Sequence, residues 1–112
     1  MSKYAKEIEV IKEAQEAAAA ATAAYLRDFP DQWYPCGFSW VKIRPARGPI
    51  VAALKELDMG SKDDYAGGFM VYNPSKNSTQ CMDAKEQGSR AFVTVLKKYY
   101  PDLKAYAQTR ID

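Results

Sequence analysis

Histidine is absent from all 112 residues. That removes the side chain most often used as a general base near neutral pH, and the commonest metal-ligating nitrogen. Cysteine is scarce. Cys36 and Cys81 alone fall short of the four ligands of a closed zinc site. With no signal-peptide pattern before them, the expectation is two free thiols in a reducing compartment rather than a disulfide. The glycosylation triplet Asn77-Ser78-Thr79 then reads as coincidence. No apolar run approaches the ~20 residues of a membrane span, and the glycine-rich phosphate loop of nucleoside triphosphatases is missing. These absences argue against an enzyme, a resident metal or a cofactor. The expectation is a soluble cytoplasmic protein with no membrane contact.

What is present is an ordinary globular composition, 47% hydrophobic and 27% charged, with a net charge of +2. The length suits one domain with a real core. Mild basicity only weakly favours nucleic acid as a partner.

Residues 3–28 read as one long helix, capped by Ser2 and stopped by Pro30. Tyr4, Ile8, Ile11, Gln15, Ala18, Thr22, Tyr25 and Phe29 recur at alternating spacings of four and three, a heptad-like stripe. Gln15 and Thr22 weaken its middle, and the alanines from Ala17 to Ala24 permit close approach of another helix. Two roles remain open for residues 1–30: a helix packed on its own domain, or an arm for homo-oligomerisation. The rest of the chain, 31–112, reads as a compact domain.

That domain begins with a turn-rich segment, Pro30 to Gly37, carrying Trp33 and Tyr34. Phe38 to Arg44 has strand composition, and alternation places Phe38, Trp40, Lys42 and Arg44 on one face against Ser39, Val41 and Ile43. Pro45 to Pro49 ends it, and a short helix follows to about Gly60. Ser61 to Gly68 reads as a polar loop, Phe69–Tyr72 as a short strand, 79–99 as a helix capped by Ser78 or Thr79, and Leu103–Ile111 as a last strand. Gly88 inside the third helix costs roughly 1 kcal/mol against alanine, which points to a close backbone crossing there. The fold class expected is α+β, a small three-stranded sheet covered by helices with a long N-terminal helix; the fallback is a three-stranded α/β arrangement with parallel pairing.

Two constellations are candidate ligand-binding sites. The loop Asn73 to Gln80 offers Ser75, Lys76, Asn77, Ser78, Thr79 and Gln80 at a helix start, where an anion is favoured; helix capping explains the same residues. The second is basic: Lys42, Arg44 and Arg47, with Trp40 beside them. Were the first and last strands neighbours, Lys42 and Arg44 would share a face with Tyr106, Gln108 and Arg110. Aromatics interleaved with cations on a sheet hold single-stranded nucleic acid by stacking and phosphate neutralisation. The loop gains weight as a site only if the basic turn meets it in space. Asp63-Asp64 and Asp83 with Glu86 are the only close carboxylates, too few for a magnesium site.

The elements Trp33-Tyr-Pro-Cys-Gly-Phe38, Pro45-Ala-Arg-Gly48, Asn73-Pro-Ser75, Thr79-Gln80 and Asp83-Ala-Lys-Glu86 together resemble small uncharacterised proteins of tailed bacteriophages and prophages. The resemblance covers roughly residues 33–112. It implies a bacterial host cytoplasm and an accessory role by binding, with a nucleic acid, a nucleotide or a host protein as partner. The leading expectation is therefore a non-enzymatic protein recognising an anionic ligand. The alternative is an oligomeric module that binds or inhibits a host factor.

Overall fold

The computed structural model describes residues 3–29, 36–77, 79 and 81–111. The Ser2 cap, the Pro30 stop, the aromatic pair Trp33 and Tyr34, and the candidate ligands Ser78 and Gln80 lie outside these residues. The elements run α1 (Ala5–Asp28), β1 (Gly37–Arg44), α2 (Pro49–Glu56), β2 (Ser61–Lys62), β3 (Phe69–Tyr72), α3 (Met82–Tyr99) and β4 (Lys104–Ile111). The strands form one sheet in the order β2-β3-β1-β4.

The sheet has four strands, not the three expected, because β2 lies inside the stretch read as a polar loop. It contributes two exposed residues, Ser61 opposite Met70 and Lys62 opposite Phe69. Such a short polar strand carries no alternation for a sequence to display. Every strand pair is antiparallel, so the parallel α/β fallback is set aside. Strand–helix–strand–strand–helix–strand with this order is the split βαβ arrangement, here preceded by an extra helix.

Alternation along β1 divides the residues as the pattern requires. Val41 and Ile43, with Phe69, Val71 and Ala105 from the neighbouring strands, enter a core shared with Ile50, Val51, Ala53 and Leu54 of α2 and Phe92 and Leu96 of α3. Side chains of this size stabilise by about 1.5–3 kcal/mol each when fully buried. The helices therefore lie on one side of the sheet, and no helix among the described residues covers its other face.

The long helix α1 packs antiparallel to α3. Thr22 Oγ1 donates to the Ala84 carbonyl (2.7 Å) at one end, and Tyr99 Oη donates to Glu13 (2.7 Å) toward the other. Its buried face is Val10, Ile11, Ala14, Ala18 and Thr22. The stripe read from the sequence is thus rotated: Phe29 is 46% exposed, whereas Thr22, taken as a weak point, is fully buried with its hydroxyl bonded. Helix α3 starts at Met82, three residues later than expected, with Cys81 rather than Ser78 or Thr79 as its cap; Cys81 Sγ accepts the Ala84 N–H (3.4 Å).

Gly88 is where the two helices meet. A Cβ at this position would stand 2.5 Å from Thr22 Oγ1, 2.9 Å from Ser75 Cβ and 3.1 Å from the Ala18 carbonyl oxygen. Gly88→Ala is expected to destabilise by about 1–2 kcal/mol, since overpacking against a hydrogen-bonded hydroxyl and backbone exceeds the helix-propensity gain. In a Thr22→Ala background the same substitution should cost less. Denaturant unfolding of the four-member cycle checks this; equal costs in both backgrounds would show that Thr22 is not what limits the crossing.

Candidate nucleic-acid interface

The face turned away from the helices collects its side chains by register. Trp40 of β1 is flanked by Tyr72 of β3 and Gln108 of β4; Lys42 lies between Met70 and Tyr106; Phe38 opposes Arg110 and Arg44 opposes Lys104. The expectation that Lys42 and Arg44 share a face with Tyr106, Gln108 and Arg110 holds. The sequences of β1, β3 and β4 contain Lys42, Arg44, Lys104 and Arg110 and not one carboxylate. A whole-chain charge of +2 therefore hides a segregated one, with much of the acid carried by α1.

One end of this face is aromatic. The Phe38 and Tyr72 ring centroids lie 6.0 Å apart at a 41° tilt. Lys85 Nζ sits 5.5 Å from the Phe38 ring centroid while donating to the Gly37 carbonyl (3.0 Å). Trp40 Nε1–H donates to Gln108 Oε1 (2.7 Å), which fixes the indole against the sheet. Tyr72 is 53% exposed and Tyr106 38%. The other end is cationic: Arg44, exposed, donates from Nε to Tyr106 Oη (2.8 Å) and from Nη2 to the Ala66 carbonyl (3.0 Å).

Lys42 does not join that cationic surface. It is buried, at 1% exposure. Its ammonium pairs with Asp63 and donates to the Gly67 carbonyl (2.8 Å), so the β2–β3 connection closes over it. Gly67 and Gly68 take φ of 80° and 81°, and a Cβ on Gly68 would meet Lys42 Cδ at 2.8 Å and the Ile43 carbonyl oxygen at 2.9 Å. The loop lies down on the strand because glycine stands there. Sequence reasoning had no signal for this pairing, since Lys42 and Asp63 are brought together only by the β3–β1 register.

Arg47 also leaves the site. Beyond the cis Arg44–Pro45 peptide it turns toward the helices and lines a groove of about 330 Å³ with Pro49, Ile50, Tyr99, Pro101 and Leu103. The basic turn and the Asn73 loop do not converge. The loop is anchored at the far end of β1, where the Asn73 N–H bonds the Ser39 carbonyl (3.0 Å), roughly 16 Å along the strand from Arg44. Its polar groups serve one another. Asn73 Nδ2 donates to the Asn77 carbonyl, Ser75 Oγ to Asn73 Oδ1, the Thr79 N–H to Asn77 Oδ1 and the Cys81 N–H to Thr79 Oγ1. Ser75 is buried at 6%. Ser75, Asn77 and Thr79 thus build the turn into α3. Lys76 stays exposed, beside Tyr72 in a recess of about 170 Å³. Among the described residues no cluster of three or more metal-ligating side chains occurs, and no helix is long and apolar enough to cross a membrane.

Asp63 is held well below the ordinary carboxylate value, at about 2 against 3.8. The Ala66 N–H contributes most and the Lys42 ammonium next; partial desolvation opposes them, and the Tyr65 N–H adds to the lowering. A folded-state value below the unfolded one adds stability above about pH 4 that is lost as pH falls through about 2. Asp63→Asn should therefore be less stable than the parent near neutral pH, with the gap closing between about pH 4 and pH 2. Thermal unfolding of both proteins across that range checks it; a constant gap would show that the carboxylate charge is not what pins the loop.

No known protein family, no curated protein and no solved structure matches this chain.

Proposed function

We propose that the protein is a non-enzymatic binding protein whose uncovered sheet face holds single-stranded nucleic acid. Bases stack on Phe38, Trp40 and Tyr72, and phosphates are neutralised by Arg44, Lys104 and Arg110. The observation that carries this reading is the register that sets Trp40 between Tyr72 and Gln108 on strands free of carboxylate. Flat rings in a row on a sheet suit bases of any sequence, since every base has a π face. Flanking cations suit a backbone that carries one charge per nucleotide. Duplexes fit less well, because stacking requires bases already splayed out. A small accessory protein of phage origin would fill such a role without turnover.

Fluorescence of Trp40 in a Trp33→Phe background reports directly on the platform. A single-stranded oligonucleotide at about 50 mM salt should quench it, and three neutralised phosphates give a log–log salt slope of about −2. Tyr72→Ala, an exposed position, should weaken binding roughly tenfold. Arg110→Ala should weaken it and make the salt slope shallower by about 0.7. Arg47→Ala should change nothing, because Arg47 lies on the helix side. Loss on Arg47→Ala, undiminished binding by Tyr72→Ala, or no binding at low salt would each overturn the proposal.

A further inference from the structure

Cys36 and Cys81 are 45 positions apart in sequence and face one another in the fold as an isolated antiparallel bridge, where the lead-in to β1 meets the start of α3. Both are free thiols, Cys36 exposed and Cys81 buried. Directly opposed residues of an antiparallel pair have Cα atoms about 4.5–5.5 Å apart and side chains on the same side. A disulfide needs Cα atoms about 4.4–6.8 Å apart. The backbone thus already holds the two cysteines at bonding separation. Cys81 Sγ accepts the Ala84 N–H in the first turn of α3 (3.4 Å), so its side chain is held at the helix start.

We propose that Cys36 and Cys81 form a reversible disulfide, an oxidation site driven by a low-molecular-weight disulfide such as oxidised glutathione. The exposed Cys36 thiolate attacks one sulfur of the oxidant, giving a mixed disulfide and one reduced glutathione thiolate. The Cys81 thiolate then attacks the Cys36 sulfur, forming the protein disulfide and expelling the second glutathione thiolate. Two cysteine thiols are oxidised, one external disulfide is reduced to two thiols, and the two protons lost by the cysteines are taken up by the departing thiolates. The order follows exposure: Cys36 meets the oxidant, and Cys81, shielded from it, resolves the adduct. The bond would tie the lead-in of β1 to the cap of α3, closing a loop that contains β1, α2, β2 and β3.

The full chain is incubated with oxidised glutathione, then alkylated and weighed intact, with thermal unfolding measured before and after dithiothreitol. The expected product is a monomer lighter by two hydrogens with no alkylatable thiol. Its Tm should be raised by roughly 5 °C or more, because the cross-link restricts the unfolded chain, and dithiothreitol should reverse both changes. Cys36→Ser, at an exposed position, should keep the Tm of the reduced parent and lose the oxidative rise. Persistence of both thiols, a lasting glutathione adduct on Cys36, a disulfide-linked dimer, or an oxidised monomer with unchanged Tm would each overturn the proposal. The readout is independent of nucleic-acid binding, so it stands or falls separately from the sheet-face reading.

Discussion

The close crossing of α1 and α3 at Gly88 is the constraint on which the layering depends. With no side chain at Gly88, Thr22 reaches the Ala84 carbonyl and Ala18 approaches the α3 backbone. Ser75, from the loop before α3, packs into the same contact. The crossing therefore fixes the long helix, the third helix and the turn between β3 and α3 together. With α1 engaged on α3, the helices stay on one side of the sheet and the opposite face remains available.

What that face can do follows from two separations. The first is of charge: β1, β3 and β4 hold cations and no carboxylate, whereas α1 sets Glu7, Glu9, Glu13, Glu16 and Asp28 against Lys6, Lys12 and Arg27. The second is along the strands: the rings of Phe38, Trp40 and Tyr72 gather at one end, where Arg110 opposes Phe38, and Arg44 and Lys104 stand at the other beside Tyr106. The Lys42–Asp63 pair sits between aromatic and basic ends and is sealed under the β2–β3 loop. A buried lysine paired with a partly exposed carboxylate is weak evidence for stability in itself, since desolvation opposes the attraction. Its consequence here is positional, because it sets where the loop and Arg44 come to rest.

The Asn73 to Cys81 connection shows how a polar loop of anion-friendly residue types can be held together by its own hydrogen bonds. Turn-forming residues at a helix start are the same types that would cradle a phosphate. Here their hydrogen bonds close on one another, and the helix cap falls to a cysteine. Among the described residues, the Asn73 amide, the Ser75 hydroxyl and the Thr79 N–H each donate within the loop. Lys76 is exposed and lies beside Tyr72 at the aromatic end of the sheet.

The sequence by itself determined the order of the helices and of the three longer strands, the α+β class, the division of β1 into two faces and the close approach at Gly88. These depend on local periodicity, propensity and the cost of a single glycine, all of which act over a few residues. Tertiary structure decided the rest. The two-residue β2 exists only because β3 offers it a partner. Antiparallel pairing replaced the parallel alternative because β1 runs opposite to both of its neighbours. Lys42 was covered by the β2–β3 loop and Arg47 was carried to the helix side because register and chain direction, which no residue encodes alone, set their surroundings. Trp40 and Tyr72 became cross-strand neighbours by the same register, across 32 positions of sequence.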